Sequence, residues 1–282
     1  MRKEKMLELV IRTATELPRD VVEALQSACD NAEGGEKSCL QTMLQNAELA
    51  RSRRRPVCQD TGTLLFYVKA PAGFTDRRGF EDDACSAVAE ATRQGYLRQN
   101  CVETITGKNT GNNLGYGSPV FHWEEADCSE LQVTLLLKGG GSENMGAQYS
   151  LPDASLHAGR DLDGVRKCIL DAVVRAQGNG CASGILGVCI GGDRATGYEE
   201  SKKMLLRKIG ERSPQPQLAE LEKRVLAEAN SLGIGAMGIG GKATLLDVFI
   251  GARCRLPASY FVSISYMCWC CRRQTIRLPV DK

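Results

Sequence analysis

Apolar positions recur at helical spacing twice in the first 50 residues. Met6, Leu7, Val10, Ile11 and Ala14 form one set; after Pro18, Val21, Val22, Leu25, Ala28 and Cys29 form another. Side chains three and four apart share a helix face, so the spacing predicts two amphipathic helices parted at the proline. The apolar run Leu64–Val68, stopped by Pro71 and Gly73, predicts a buried strand, and Glu81–Leu97 a helix with Ala84, Val88 and Ala91 inward. Leu131–Leu137 predicts a strand running into Gly139-Gly140-Gly141-Ser142. Further on, Asp161–Gln177 predicts a helix closed by Gly178, Ile185–Ile190 a strand, and Tyr198–Ile209 a helix. Leu218–Leu232 predicts a helix closed by Gly233, and strands are expected near Leu245–Ile250 and Tyr260–Ser265. The pattern gives no further element after Arg273. Helices and strands mix without a strict βαβ rhythm, which points to an α+β (mixed α/β) fold. No internal repeat is visible, and residues 1–282 read as a single domain with a helical segment, 1–55, packed onto it.

Composition narrows the function more than the fold. The chain has 282 residues, a net charge of +2 and 5% aromatic residues, so neither a basic field nor a stacking platform marks a nucleic-acid binder. No apolar run approaches the roughly 20 residues of a membrane-spanning helix. The charged N-terminus lacks the apolar core of a signal peptide, so the expected location is cytoplasmic. The basic run Arg51, Arg53, Arg54 and Arg55 reads either as a solvated face or as an edge that attracts an anion or a partner.

Two glycine motifs fail on context. Gly233-Ile-Gly-Ala-Met-Gly238 matches the dinucleotide fingerprint by letter, but it follows a helix where the fingerprint must follow a strand. Gly240-Gly241-Lys242 is similar to a phosphate loop, yet Ala236 stands at the required first glycine and Ala243 at the magnesium-binding hydroxyl. His122 and His157 sit beside no obvious nucleophile and read as structural.

The 13 cysteines include no C-x-x-C pair. Three segments instead share cysteine, glycine and a strand or turn: Pro56-Val-Cys-Gln-Asp-Thr-Gly-Thr63, Gly178-Asn-Gly-Cys-Ala-Ser-Gly184 and Ser265-Tyr-Met-Cys-Trp-Cys-Cys-Arg-Arg273. Residue types alone leave open whether these form a metal site or merely pack. Taken with KGGGSEN at 138–144, LGVCIGGDRATGYEESKKML at 186–205, GIGGKATLLDV at 238–248 and RLPASYFVSISYMCWCCRR at 255–273, the segment CQDTGT at 58–63 resembles the α part of class I fumarases, and L-tartrate dehydratase α subunits share the framework. The motifs stand in family order, and the resemblance covers nearly the whole chain, from about residue 6 to 279.

The resemblance implies an iron–sulfur hydro-lyase α-type catalytic domain. Its 4Fe–4S cluster would be held by Cys58, Cys181 and Cys268, leaving one iron open as a Lewis acid. It places Gln59 and Asp60 near the substrate, where Asp60 would assist proton handling or orient iron-bound water, with a turn or N-cap role as the alternative for Asp60. Arg98 is implied to grip a carboxylate, or else to be a surface arginine at a helix end. The amides of Gly139, Gly140 and Gly141 are implied to approach a carboxylate, and Asn109–Asn113 to play a supporting part. Two departures stand out. Ala182-Ser183 replaces the family's Pro-Pro, which is expected to loosen the Cys181 turn; Cys270 and Cys271 replace non-thiol residues and are expected to be no native ligands.

In single-chain relatives a second, β-type domain supplies the proton-transferring group, and it is absent from this sequence. The expectation is therefore an α2β2 assembly, active with a separate β subunit, that hydrates fumarate to (S)-malate. The alternatives are a tartrate dehydratase α subunit yielding oxaloacetate, a non-catalytic Fe–S or assembly module, and a metal-free domain whose cysteines only pack.

Overall fold

A computed structural model describes residues 2–280 and has an α+β fold divided into two compact units. Of the described residues, the first unit comprises 2–18, 46–140 and 270–280, and the second 19–45 and 141–269. In chain order the helices are α1 (Arg2–Thr15), α2 (Arg19–Asp30), α3 (Gly34–Arg53), α4 (Arg77–Arg93), the single turn α5 (Gly140–Glu143), α6 (Leu162–Ala176), α7 (Arg194–Met204) and α8 (Pro216–Ser231). The strands are β1 (Thr63–Pro71), β2 (Val120–Ala126), β3 (Glu130–Lys138), β4 (Ala147–Ser150), β5 (Gly184–Gly191), β6 (Leu245–Arg253), β7 (Phe261–Met267) and β8 (Arg272–Pro279).

The first unit is built on a sheet of order β2-β1-β3-β8, with β2 parallel to β1 and the other pairs antiparallel. Alternation along β1 and β3 puts Leu64, Phe66, Val68, Leu131, Val133, Leu135 and Leu137 on one face. Against that face pack Met6, Leu9 and Val10 of α1 and Phe80, Ala84 and Val88 of α4. Phe66 and Phe80 are fully buried, each stabilising by about 1.5–3 kcal/mol relative to exposure. α4 is capped by Asp76, whose carboxylate accepts the Gly79 N–H and pairs with Arg2. His122 stacks on Tyr67 at 4.6 Å between ring centroids, a packing role.

The second unit holds a sheet of order β4-β7-β5-β6. Its central strand β5 is buried at every position, as a strand covered on both faces must be. Leu186, Val188 and Ile190 meet Val165, Ile169 and Val173 of α6 and Leu218, Leu221 and Val225 of α8. On the opposite face α7 lies so close that a Cβ on Gly187 would sit 2.0 Å from the Ser201 carbonyl oxygen. α7 starts at Arg194, earlier than its apolar pattern, because the Asp193 carboxylate accepts the Ala195 and Thr196 amides.

Several elements differ from the sequence reading. The first 55 residues contain three helices; α3 carries Leu40, Met43, Ala47 and Ala50 inward at helical spacing. The basic run occupies its last turn and beyond, exposed, with Arg51 paired to Glu48 and Arg54 to Glu8. Strands β2, β4 and β8 were not expected. The left-handed residue ending α6 is Gln177 (φ 47°), whereas Gly178 serves a close approach: a Cβ there would meet the Met237 carbonyl at 2.4 Å.

Candidate functional site

In the first unit, residues 56–62 lead into β1 and are pinned from several sides. The Val57 amide donates to the Ala14 carbonyl at 3.0 Å, and the Asn46 side chain donates to the Val57 carbonyl at 2.8 Å. Cys58, half-buried, accepts the Asp60 amide on its sulfur at 3.4 Å. The Asp60 carboxylate is an organiser of backbone. Oδ1 accepts the Gly62 amide at 2.8 Å and the Asn100 side chain at 3.2 Å, while Oδ2 accepts the Gly140 amide at 2.7 Å. Gly62 (φ 77°) lies directly on the end of β3: a Cβ there would sit 2.6 Å from the Lys138 carbonyl carbon. Asp60 thus stitches the cysteine loop to Gly139–Gly140.

Beside this loop lies a cavity of about 550 Å³ lined by Pro56, Cys58, Gln59, Gly95, Leu97, Arg98 and Gln99. Arg98 and Gln59 are both exposed, and among the described residues the Arg98 guanidinium makes one long hydrogen bond, 3.4 Å to Gln59 Oε1. Its backbone is held far more firmly. The Arg98 carbonyl accepts the Thr61 hydroxyl and the Asn113 amide group, each at 2.8 Å, and Asn113 Oδ1 accepts the amides of Asn100 and Cys101. Asn109 donates to the Gln99 carbonyl at 2.8 Å. The Asn109–Asn113 motif therefore fixes the loop that carries Arg98.

Arg272 is a residue that sequence reading missed. It stands at the start of β8, opposite Leu137 on the helix-covered face, and is 1% exposed. Its Nε is enclosed, with no hydrogen-bond partner among the described residues. A buried guanidinium nitrogen without a partner is costly, which leaves Arg272 with donor capacity that the fold does not use. Its Nη2 and the Asp60 carboxylate both lie within 4 Å of where a Cβ on Gly139 would project, and Asp60 is 3.0 Å from that point. Only glycine leaves this space open. The signal in the sequence was the charged pair Arg272-Arg273 following an apolar strand without an acidic neighbour.

In the second unit the antiparallel register of β5 and β7 pairs Ile185 with Met267. That register brings the residues preceding β5 and those following β7 to one end of the sheet, and with them Cys181 and Cys268. The Trp269 amide donates to the Cys181 carbonyl at 3.2 Å. Tyr266 lies between the two segments: Cβ atoms on Gly180 or Gly184 would strike its ring at 2.4 Å. Burial pushes the Tyr266 hydroxyl above its ordinary range, and the nearby Cys268 and Cys181 thiols push it further.

The turn holding Cys181 is firm, which corrects the expectation that Ala182-Ser183 loosens it. Both residues are fully buried; the Ala182 carbonyl accepts the Met237 amide at 2.6 Å, and the Ser183 hydroxyl donates to the Ala243 carbonyl. These bonds do the tethering that proline rings would otherwise share. Cys270 and Cys271, at 2% and 0% exposure, are buried, and the Cys271 sulfur accepts a long hydrogen bond from Arg273 at 3.6 Å.

Within neither unit do three or more His, Cys, Asp or Glu side chains of the described residues converge as ligands of one ion. Cys58 belongs to the first unit, and Cys181 and Cys268 to the second. Gly139 and Gly140 fall in the first unit with Asp60, and Gly141 opens the second. As a donor set the three fit an iron–sulfur cluster: none is in a disulfide, and thiolate is the ligand such clusters take. By contrast, burial pushes Cys168 and Cys189 up to about 12, which suits inert packing.

A family model described as Fumarate hydratase (Fumerase) matches residues 3–277. A "Putative fumarate hydratase class I" of Geobacillus stearothermophilus is 44% identical over 280 residues, covering 98% of this chain and 54% of that protein. The chain thus spans about half the length of that relative. A "Putative L(+)-tartrate dehydratase subunit alpha" of Methanocaldococcus jannaschii is 35% identical over 282 residues, covering 98% of this chain and 97% of its own. The L(+)-tartrate dehydratase subunit alpha of Escherichia coli strain K12 is 34% identical over 272 residues, covering 95% and 88%.

Proposed function

We propose that this chain, which belongs to the fumarate hydratase (Fumerase) family, is the cluster-carrying part of an iron–sulfur hydro-lyase acting on a C4 dicarboxylate. The observation that carries the reading is the pair of guanidinium groups with unused hydrogen-bonding capacity beside the Cys58–Asp60 loop. Arg98 stands exposed at the cavity with a single long contact, and Arg272 is buried with an Nε that has no hydrogen-bond partner among the described residues. A dicarboxylate has two anionic ends, and a planar guanidinium meets a carboxylate with two parallel N–H···O bonds.

Cys58, Cys181 and Cys268 would hold a 4Fe–4S cluster. Held by three thiolates, the cluster would supply Lewis-acid chemistry toward the hydroxyl that is added or lost. The chain's own residues bind and orient. Arg98 takes one carboxylate at the cavity. Arg272, with the amides of Gly139, Gly140 and Gly141, takes the other or its developing charge. Gln59, next to Cys58, offers an amide to the reacting end. Asp60 sets the loop geometry through its three backbone and side-chain donors and lies near enough to orient a proton-bearing oxygen.

The substrate is fumarate, hydrated to (S)-malate in the cytoplasm, and the reaction is completed by a β subunit in an α2β2 assembly. Relatives named as alpha subunits match this chain over nearly their whole length, which supports the heteromer. Those same names keep L-tartrate as the second substrate to be tried.

The test is anaerobic reconstitution with iron and sulfide, followed by electron paramagnetic resonance during titration with malate and then tartrate. A spectrum that shifts with malate, together with fumarate hydration on adding the β subunit, is the expected result. A chain that binds no iron, or a spectrum unmoved by either acid, overturns the reading.

A further inference from the structure

We infer that Glu36 is a positioning residue for Cys181, acting through the glycine-rich segment 233–244; the inference rests on Cys181 being a cluster ligand. Glu36 lies in the first turn of α3 and is 6% exposed. Its carboxylate donates nothing and accepts three main-chain amides of that segment. Oε1 accepts Ala236 at 3.2 Å and Ala243 at 2.8 Å, and Oε2 accepts Lys242 at 2.9 Å. The segment folds back on itself, with the Gly240 amide on the Ile234 carbonyl at 2.9 Å, and wraps the carboxylate. A Cβ on Gly241 would lie 2.1 Å from the Glu36 carboxyl carbon, so bare backbone packs directly on the acid. The glycines that imitate a dinucleotide fingerprint thus enclose a carboxylate of the chain itself.

The wrapped segment in turn grips the cysteine turn. The Met237 amide donates to the Ala182 carbonyl at 2.6 Å, the Ser183 hydroxyl donates to the Ala243 carbonyl, and the Gly184 amide donates to the Thr244 carbonyl at 2.9 Å. Gly178, before the cysteine, packs on the backbone of Met237 and Gly238. Cys181 itself has φ 56°, a left-handed conformation uncommon for a residue with a Cβ. Such a conformation persists where its surroundings over-determine it. Three amides on one carboxylate are charge-assisted bonds, stronger than neutral ones, so Glu36 is the fixed point of this chain of contacts. Replacing it by glutamine keeps the volume but turns an N–H₂ toward a backbone N–H.

A merely structural acid would behave like Glu222, which is fully buried, accepts the Ile250 and Ser213 amides at 2.8 and 2.9 Å and pairs with Arg207, with no hydrogen bond to the segment 178–184 among the described residues. The test uses the full chain as wild type, Glu36→Gln, Glu222→Gln and Cys181→Ala, each reconstituted anaerobically with iron and sulfide. Thermal unfolding, iron release to a chelator and hydrogen exchange over 178–184 in the metal-free chain are measured. Glu36→Gln is expected to release iron on the order of ten-fold faster than wild type, as loss of a group supporting a metal ligand does, and to exchange faster over 178–184. Glu222→Gln is expected to lower the unfolding temperature while releasing iron at the wild-type rate. Equal release from both variants, or wild-type release and exchange in Glu36→Gln, overturns the inference. If Cys181→Ala keeps its full iron, the ligand assignment has failed instead, and the metal-free exchange still decides whether Glu36 holds the turn. Should Glu36→Gln not fold, Ser183→Ala, which cuts the tether to Ala243, is expected to give the same faster release; wild-type behaviour there sinks the proposal.

Discussion

The loop carrying Cys58 and the turn carrying Cys181 solve opposite problems. Around Cys58 the backbone is pinned by Asp60, Thr61 and Asn113, but the outward side chains of Gln59 and Arg98 are left exposed beside a cavity. Around Cys181 nearly everything is turned inward: Ala182 and Ser183 are fully buried, and Tyr266 fills the space that side chains at 180 and 184 would need. On the proposed function, one region would keep polar capacity for a ligand that comes and goes, and the other would use its capacity to immobilise a thiol. A metal ligand needs a fixed direction, whereas a carboxylate-binding side chain needs donors still available when the anion arrives.

The largest effect expected from this contrast is at the thiols. Cys181→Ser or Cys268→Ser should abolish iron retention after reconstitution, measured as iron and sulfide per chain; a full complement in either variant would break the comparison at its root. Next come the two arginines. Arg98→Met and Arg272→Met should each raise KM for the dicarboxylate ten- to a hundred-fold, since a hydrogen bond to a charged group contributes about 1.5–3 kcal/mol. Lysine at 98 should not restore the value, because it lacks the planar fork. The two differ in stability: Arg272→Met should leave the unfolding temperature unchanged or higher, as replacing a buried ion by an apolar side chain of similar volume often does. A sharp fall there would mean Arg272 is held by the fold and not kept for a ligand.

Glycine substitutions sharpen the packing side. Gly180→Ala drives a methyl to 2.4 Å from the Tyr266 ring and should cost about 1–3 kcal/mol by denaturant unfolding. Gly95→Ala, at φ 80° with nothing within 4 Å, should cost only the left-handed backbone, about 1 kcal/mol. The smallest effect is chemical. At pH 8 Cys254 is exposed and should alkylate readily, whereas Cys168 and Cys189, pushed up to about 12 by burial, remain thiols and should resist. Because a raised thiol value keeps the proton on, their labelling should rise only as pH climbs toward 12; rapid labelling at pH 8 would show that their surroundings open.

Elements with a strong one-sided apolar pattern were legible. β1, β3, β5, α4, α6 and α8 fall where periodicity puts them. Strand β8, Arg-Arg-Gln-Thr-Ile-Arg-Leu-Pro, was not, because an edge strand with polar and charged residues at alternate sites looks like a basic tail. β2 was hidden by the same edge position and by Glu124 and Glu125. α3 escaped because its inward residues include Glu36, which reads as surface until its three amide donors are seen. For the candidate site, the family resemblance implied Gln59, Asp60 and Arg98. Arg272 and Glu36 stayed silent, since a lone charged letter does not say whether it is buried or what faces it.

The order of apolar and polar positions was enough to settle the α+β character and the helical and strand segments that bury a face, because burial periodicity is local. The motifs were enough to point to the family. Only tertiary structure decided that the β5–β7 register draws Cys181 and Cys268 to one sheet end, that the Arg272 Nε is enclosed without a hydrogen-bond partner among the described residues, and that an acid on α3 holds a glycine loop 200 residues away. Those depend on contacts between residues remote in sequence, whose energies no local pattern encodes.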